Sequence, residues 1–413
     1  MNQNITTGQS STGRFVFQVF SLYLLFYVFF ISDISLQLGL NFICVDLVSW
    51  INKLFIHKDF QQFVGTMDSY WVYLASCIFF ILAILISLIW LATSKKKSFP
   101  VFYQFVYVIA RYYVFVVVLG FGISKLDGLQ FTTWPGSLLP SVGSDDTFNL
   151  FWTSLGSSKS YYIFGGLLET VAAILLLFRK TTTLGSLIAI PVLLNVLLIN
   201  IAYDIFLKLI VFHLIVFCVF ILIPDLNRLY KFFILKQNTS LYPSLPPLMN
   251  GKNKTWLQYM LKFLLVGYIV FGVVKVEREG YNKTYRSPYQ HLIGIFNVKE
   301  FYQASLSGVH HNIDSLSWKK FAIDQFNDCY ILLMNDSMAT FHFKADIGNS
   351  TIEFTSGSDT TIKAKLHYVE SKPAEWLFEG TYKTDSIRFS STKIDMYSLP
   401  LLKGRGKIKW TYD

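Results

Sequence analysis

The segment FYQFVYVIARYYVFVVVLGFG, residues 102–122, is an apolar run of membrane-spanning length that contains a single charged side chain, Arg111. A guanidinium at that depth in a bilayer is energetically costly, so such a residue normally faces the interior of a helical bundle and has a partner or a function there. The segment therefore predicts a membrane-spanning helix that carries a buried polar site.

The composition of the whole chain supports the same protein class. Hydrophobic residues make up 53% and aromatic residues 17% of the 413 residues, which is too apolar for a soluble protein of this length. The net charge of +10 does not indicate a nucleic-acid partner, because the aromatic residues lie in apolar runs and no nucleic-acid module is evident. We expect an integral membrane protein surrounded by lipid, without a nucleic-acid partner.

Apolar runs of roughly twenty residues predict about seven membrane-spanning helices. The runs are residues 14–31, 70–93, 100–122, 161–178, 184–203, 207–223 and 256–274. Basic residues follow the second and fourth runs and lie between the sixth and seventh, so all three basic loops fall on one side. The positive-inside rule makes that side cytoplasmic. We therefore expect a protein of the inner (cytoplasmic) membrane with a cytoplasmic N-terminus and a periplasmic or extracytoplasmic C-terminal region.

The chain changes character after residue 274, where charged and polar residues become frequent. Short β-forming segments alternate there with turn residues such as Gly348 and Asn349. This pattern predicts a small all-β domain, an antiparallel meander folded as a barrel or sandwich. The expected regions are 1–99 with two spans and an outer loop, 100–235 with four helices, 236–274 with a cytoplasmic loop and the last span, 275–320 as a linker, and 321–413 as the β-domain.

Cysteine and histidine positions argue against several kinds of redox site. The four cysteines have no CxxC spacing, which does not favour a thiol relay. His213 is the only histidine in a predicted span, whereas a bis-histidine haem in the bilayer needs two. His310 and His311 are adjacent but lack further ligands at metal-site spacing, so we expect no metal. No haem, flavin or iron–sulfur motif is evident.

Three polar residues are expected at similar depth in neighbouring spans. Arg111, Glu169 and Asn195 each lie roughly 15 Å from the ends of their spans, at about 1.5 Å per residue. An arginine and a glutamate at one level in a low dielectric favour pairing, and Asn195 can use the remaining donors and acceptors. Two interpretations stay open: the cluster binds a ligand, or it only fixes the packing of the helices.

A second polar group is expected at the outer ends of the same helices. Lys125, Asp204 and Lys208 fall at the predicted outer boundary and would form a charged mouth, unless the lysines simply extend to the interface. Asn200 shares a helix face with Asp204 and Lys208 if the helix continues through the hairpin. His213 lies about two turns inside and is either a satisfied core histidine or a proton relay. We include Asn200 and His213 in the candidate buried cluster.

An ordered series of motifs runs through the third to sixth predicted spans. It includes Arg111-Tyr112, Gly122-Ile123-Ser124-Lys125, Phe164-Gly165-Gly166-Leu167-Leu168-Glu169, Asn200-Ile201-Ala202-Tyr203-Asp204 and Pro224-Asp225-Leu226-Asn227-Arg228-Leu229. With this series, residues from about 111 to 233 resemble the DoxX-like integral membrane protein family. The resemblance implies a four-helix core, followed in longer members by an extracytoplasmic β-rich domain.

The resemblance implies a role in envelope assemblies more than a specific chemistry. The family is named after a membrane subunit associated with thiosulfate oxidation and quinone reduction, and its relatives include maturation factors for periplasmic redox enzymes. One hypothesis is an inner-membrane component of a multi-protein assembly, with a buried polar site and an outer β-domain that binds an envelope or membrane protein or an envelope ligand. The alternative is a redox-linked subunit that binds a quinone-like molecule at Arg111 and Glu169. No catalytic constellation is complete, so we favour the first hypothesis and assign no enzymatic activity.

Overall fold

The computed structural model describes residues 11–32, 35, 39–58, 68–94, 100–126, 128–131, 133–239, 252–285, 287–305, 308–311, 317–357 and 359–403. The chain forms two compact units. The first, called here the helical unit, comprises Met1–Ile123 and Gly165–Phe271, and the second, the barrel unit, comprises Ser124–Phe164 and Gly272–Asp413.

Seven helices among the described residues are long and apolar enough to cross a membrane, which suggests a membrane protein. They coincide with the seven runs predicted from the sequence. The helices are α1 (Ser11–Phe26, continued by the π-helical turn Tyr27–Ile31), α2 (Asn41–Ile51), α3 (Tyr70–Thr93), α4 (Pro100–Leu126), α5 (Thr147–Gly156), α6 (Lys159–Leu177), α7 (Thr182–Ala202), α8 (Lys208–Leu222), α9 (Leu226–Phe233) and α10 (Lys252–Tyr285). Two of them, α2 and α5, are short helices between spans that the sequence analysis did not predict.

Glycines allow the helices next to α6 to approach closely. A Cβ atom on Gly122 of α4 would lie 2.8 Å from the backbone nitrogen of Thr170 on α6. A Cβ atom on Gly185 of α7 would lie 2.9 Å from the backbone nitrogen of Leu176. Small residues at such contacts are typical of packing between membrane helices. Helix α6 therefore packs directly against α4 and α7, and α7 packs in turn along α8.

The β-strands form a closed antiparallel barrel, which decides between the barrel and the sandwich left open by the sequence. The strands are β1 (Gly294–Ser305), β2 (Gly308–His311), β3 (Trp318–Ile323), β4 (Asp328–Leu333), β5 (Met338–Asp346), β6 (Thr351–Ser356), β7 (Lys363–Lys372), β8 (Glu375–Tyr382) and β9 (Asp385–Ile394). Neighbours from β3 to β9 pair in sequence order, and β1 pairs with both β3 and β9. Eight strands thus close the ring, and β2 extends it at the end of β1.

The barrel begins earlier in the chain than expected. The interval 275–320, for which we expected a linker, contains the end of α10, strands β1 and β2 and the start of β3. A β-bulge between Val298 and Glu300 interrupts the two-residue alternation of β1. Phe296 and Phe301 are an odd number of residues apart and would face opposite sides of a regular strand. Because of the bulge, both are buried. The alternation that identifies a strand in a sequence is therefore broken at this position.

Aromatic side chains fill the interior of the barrel. The rings of Phe296 and Phe321 stack with centroids 4.7 Å apart, and those of Phe378 and Phe389 stack at 5.1 Å. All four side chains are fully buried. Burial of one such ring contributes about 1.5–3 kcal/mol to stability. The interior is a packed core, as in other small barrels, and any ligand or partner has to bind the outer wall or the ends.

A loop between α4 and α6 packs on the outside of this barrel. Its 3₁₀ turn, Pro135–Leu138, brings Gly136 against the ring of Tyr330, where an added Cβ would lie 2.5 Å from Cε2. Leu139 joins an apolar cluster with Ile295, Ala322 and Leu332. Residues 124–164, which the sequence analysis placed with the four helices, therefore group with the barrel.

Candidate functional site

Arg111 is buried within the helical unit, with 6% of its surface exposed. Pro100 begins α4, so Arg111 lies about 16 Å along the helix axis from that end. Its Nε atom is buried and has no hydrogen-bond partner among the described residues, and its Cζ atom lies 5.0 Å from the centroid of the Tyr112 ring. A buried guanidinium with an unsatisfied nitrogen is unfavourable unless something else compensates it.

Glu169, the predicted partner of Arg111, is also buried in the helical unit, with 1% of its surface exposed. It precedes Thr170, the residue that packs against Gly122 of α4. This close approach of α4 and α6 places the glutamate in the interior beside α4. The pairing of Arg111 with Glu169 stays a prediction.

Asn195, the third member of the predicted layer, does not belong to it. Asn195 is exposed on α7 beside the exposed Leu194. The buried face of α7 includes Leu193 and Asn200, and a residue two positions from Leu193 is rotated by about 200° around the helix. Depth along the axis alone did not determine which way Asn195 points. Asn200 is buried instead, and its Nδ2 atom has no hydrogen-bond partner among the described residues.

The two charges predicted next to the hairpin, Asp204 and Lys208, form an ion pair. Helix α7 ends at Ala202 and Asp204 adopts a left-handed conformation with φ of 51°, so the helix does not continue through the turn. Lys208 Nζ nevertheless lies 2.7 Å from Asp204 Oδ1. The Asp204 side chain is 87% exposed, and exposed pairs of this kind contribute little to stability. Lys125 lies in the last turn of α4, in the barrel unit, and its membership of a charged mouth stays a prediction.

Asp68 has a structural role that the sequence analysis missed. Its two carboxylate oxygens accept hydrogen bonds from the backbone nitrogens of Lys208, at 2.7 Å, and Leu209, at 2.9 Å. Only 7% of the side chain is exposed. The carboxylate therefore caps the first turn of α8, where free N–H groups and the helix dipole favour a negative charge. The helix next to it in the chain, α3, is capped by Ser69 instead.

His213 is held on both sides of its ring in the core of the helical unit. Nδ1 lies 2.7 Å from the carbonyl oxygen of Leu209, and Nε2 lies 2.6 Å from the Tyr23 hydroxyl oxygen. The first bond requires a proton on Nδ1, so in the neutral imidazole Nε2 accepts from the Tyr23 hydroxyl. The ring also stacks on Tyr27 with centroids 3.8 Å apart. This geometry agrees with a satisfied core histidine.

Other basic residues lie within the electrostatic reach of Arg111. Burial lowers the pKa of Arg179, which directly follows Phe178 after α6; the neighbouring Tyr107 hydroxyl opposes this effect and the positive charge of Arg111 adds to it. The charge of Arg111 also acts on Lys262 of α10, whose Nζ atom lies 5.5 Å from the centroid of the Phe178 ring. The sequence analysis did not include Arg179 in the candidate site, because distance along the chain hides its proximity to Arg111.

An acidic residue at the same end of the helical unit has its own partners. Asp225, in the 3₁₀ turn between α8 and α9, is buried. Arg228 Nη2 lies 3.2 Å from Asp225 Oδ1, and the Thr183 hydroxyl donates a hydrogen bond to Asp225 Oδ2. Arg228 also donates to Thr183 Oγ1 at 3.4 Å. These contacts connect the start of α7 to the start of α9 and neutralise the carboxylate.

A second titratable site lies at a turn of the barrel. Asp324, between β3 and β4, accepts hydrogen bonds from the backbone nitrogens of Phe326, at 2.8 Å, and Asp328, at 3.0 Å. Burial raises its pKa to about 6, although both hydrogen bonds favour the charged form. Phe326 in the same turn contacts the Trp134 ring edge to face, with centroids 5.7 Å apart. The turn that contains Asp324 thus also contacts the α4–α6 loop.

No group of three His, Cys, Asp or Glu side chains within the described ranges is placed to hold a metal ion. The two adjacent histidines, His310 and His311, lie in β2, and their side chains are outside the described set.

Comparison with known proteins yields one informative similarity. The uncharacterized protein YwoB of Bacillus subtilis (strain 168) is 29% identical over 145 residues, which cover 35% of this chain and 87% of YwoB. No protein-family model matches the chain, and no solved structure matches it. Because YwoB is itself uncharacterized, a function has to be argued from the geometry of the site.

Proposed function

We propose that this protein is a non-enzymatic membrane component whose helical unit binds an amphipathic ligand at a buried polar site around Arg111. The carrying observation is the burial of Arg111 inside a membrane-length helix with its Nε atom unsatisfied among the described residues. A residue that served packing alone would be expected to have its donors satisfied, since an unmet buried donor costs about 1–3 kcal/mol. A ligand acceptor at Arg111 removes that cost.

The third to sixth spans form the DoxX-like core in this proposal. They are α4, α6, α7 and α8, and the close contacts of α6 with α4 and α7 and of α7 with α8 support a single bundle. The cytoplasmic side is the side of Arg179 and Arg228, so that the N-terminus is cytoplasmic and the barrel is extracytoplasmic at the inner membrane. Accessibility of single introduced cysteines to a membrane-impermeant thiol reagent tests this orientation. If a cysteine introduced at position 180 were labelled in intact cells and one introduced at position 344 were not, the orientation would be the reverse of the proposed one.

The barrel is the partner-binding part in this proposal, as its core is packed and its outer wall carries a groove. The groove has a volume of about 490 Å³ and includes Tyr302, His367, Glu379 and Arg388. These four residues are cross-strand neighbours in one row, from β7 through β8 and β9 to β1. A row that contains an acidic and a basic side chain beside an aromatic ring is a surface suited to a protein partner or an envelope ligand.

A photo-crosslinking amino acid at Arg388 tests this part of the proposal, with the same amino acid at the exposed Lys344 as a control. A defined crosslinked species from Arg388 and none from Lys344 is the expected result. Equal, diffuse crosslinking at both positions would contradict the proposal that the groove is a binding surface.

The ligand site is tested by mass spectrometry of small molecules that co-purify with the intact protein. We expect Arg111→Ala to lose a bound amphiphile while the variant still inserts and elutes as a monodisperse species. Lys180→Ala, which removes an exposed charge beside Arg179, is the matched control and should retain the amphiphile. If Arg111→Ala lowers thermal stability but keeps the same bound molecules, the residue only fixes helix packing. A co-purified quinone lost with Arg111 would favour the redox-linked alternative.

A further inference from the structure

A helical segment between the first two spans is too short to cross a membrane itself. Helix α2 is continued by a π-helical turn, Asn52–Ile56. Together they measure about 24 Å at 1.5 Å per residue, less than the roughly 30 Å of a hydrocarbon core. The segment joins the end of α1 to the start of α3, which are consecutive spans, so both of its ends lie at the same membrane surface. In the proposed topology this is the extracytoplasmic surface.

One face of α2 packs on the helical unit. Cys44 and Val48, one turn apart on this face, have no exposed surface. The helix contacts the π-helical turn Tyr27–Ile31 at the end of α1, and it also contacts α3. Helix α2 therefore lies against the first two spans and does not project away from them.

The two flanks of this buried face differ in polarity. Successive residues of a helix are rotated by about 100° around its axis. On one flank this rotation places only apolar residues, Ile51, Leu47, Ile43 and Trp50. On the other flank it places the polar residues Asn41, Ser49 and Asp46, with Val45 and Phe42 between them. A helix with an apolar and a polar side is typical of segments that lie in the plane of a membrane surface.

Exposed aromatic side chains mark the level of that surface. Trp50 is 61% exposed on the apolar flank of α2, and Tyr70 and Tyr73 are each 42% exposed in the first turn of α3. Lys58, which follows the π-helical turn, places its Nζ atom 4.2 Å from the centroid of the Tyr70 ring. Tryptophan, tyrosine and lysine side chains are characteristic of the boundary between lipid chains and headgroups. The end of the segment and the start of α3 therefore lie at one level.

The apolar flank of α2 adjoins spans that expose apolar side chains themselves. On α1, Phe20 is 42% exposed, and on α3, Ile81 is 55% exposed. Surfaces of this kind on membrane-length helices are in contact with lipid chains. The exposed Ile43, at 41%, and Trp50 extend this apolar surface to the end of the spans.

We propose that α2 is an interfacial helix that inserts Ile43, Leu47 and Trp50 among the lipid chains, while Ser49 and Asp46 face water. The partner of this surface is the phospholipid bilayer. The inference rests on the membrane-spanning arrangement in the proposed function, and it adds a lipid contact apart from the site at Arg111.

Photo-crosslinking to lipid tests the position of α2. The full-length protein is placed in phosphatidylcholine nanodiscs, with p-benzoylphenylalanine at Trp50, Ile43 or Ser49 in separate variants. Intact-protein mass spectrometry after irradiation detects adducts of one lipid mass. We expect lipid adducts from Trp50 and Ile43 and their loss at Ser49, which is the neighbour of Trp50 on the polar flank. Ile81, exposed near the middle of α3, is the control for the span itself and should give adducts.

The control separates failure of the inference from failure of the proposed membrane arrangement. Adducts at Ile81 but at neither Trp50 nor Ile43 would overturn the interfacial helix and leave the spans standing. No adduct at Ile81 would overturn the spans, and the inference with them. Equal adducts at Trp50 and Ser49 would place all of α2 among lipid chains and overturn its interfacial position. A crosslinked species of twice the protein mass from Trp50 would assign the apolar flank to a second copy instead of lipid.

The substitutions are chosen so that the protein still folds. An aromatic residue replaces an exposed aromatic residue at Trp50, and Ile43 supplies a second position on the same flank. If the Trp50 variant fails to fold, adducts at Ile43 and none at Ser49 support the inference, and their absence at Ile43 overturns it.

Discussion

Lys208 lies near two aspartates, and substitution of each should have a different effect on stability. Asp68 accepts two backbone hydrogen bonds at the start of α8 and is 7% exposed, whereas the Asp204 carboxylate contacts the Lys208 ammonium and is 87% exposed. Asp68→Ala leaves two N–H groups of a helix terminus without their acceptor. Asp204→Ala breaks an ion pair that water already screens.

The expected loss of stability in Asp68→Ala follows from the two hydrogen bonds that the carboxylate accepts. Loss of a helix cap costs about 0.5–2 kcal/mol, and loss of the charge from the positive end of the helix dipole adds about 0.3–1 kcal/mol. The sum is on the order of 2 kcal/mol, which corresponds to a decrease in Tm of roughly 4–8 °C for a unit of this size. Asp68→Asn keeps one acceptor oxygen and removes the charge, so its Tm should fall between those of the wild type and Asp68→Ala.

Thermal unfolding in detergent micelles, followed by tryptophan fluorescence and by circular dichroism at 222 nm, measures these differences. Asp204→Ala serves as the matched control, and we expect its Tm to stay at the wild-type value within error. Equal losses of Tm for Asp68→Ala and Asp204→Ala would show that Asp68 acts through Lys208 rather than as a cap. An unchanged Tm for Asp68→Ala would contradict a stabilising role of Asp68 as a helix cap.

Three other substitutions test the barrel unit. Gly136→Val places a side chain where the Tyr330 ring lies, so the α4–α6 loop should become sensitive to limited proteolysis while the barrel stays resistant. Phe378→Ala opens a cavity in the aromatic core and should destabilise the barrel by about 3–5 kcal/mol, measured by near-ultraviolet circular dichroism during denaturant unfolding. Asp324 has a raised pKa in the folded state, so its contribution favours the fold at low pH and is lost as pH rises from about 4 to about 6. Asp324→Asn should therefore flatten that part of the pH dependence of Tm, and an unchanged profile would contradict the assignment.

Run length and composition were sufficient to locate the membrane-length helices. A helix of about 20 apolar residues is specified by local sequence, so all seven predicted runs coincide with helices. The rotation of each helix depends on which neighbours it contacts. Asn195 shows the difference, because its depth was apparent from the sequence but its position on the exposed side of α7 was not.

Contacts between distant segments were the hardest to predict. Asp68 caps α8 across 140 residues of sequence, and Arg179 lies near Arg111 although the two are far apart in the chain. The strands from β4 onward were recognisable because alternation and turn residues are local signals. Strand β1 escaped notice because its bulge shifts the alternation, and the α4–α6 loop has no sequence pattern that indicates a barrel as its contact.

The closure of the barrel by its first and last strands has a consequence for biosynthesis. Ile295 of β1 pairs with Ile394 of β9, so the ring has a free edge on both sides until nearly the entire domain has been synthesised. Contacts between such distant strands form late, since the intervening chain must first be ordered. During that interval the aromatic face of β1 is exposed to solvent. The emerging domain is therefore more prone to aggregate before β9 has been synthesised than after the ring has closed.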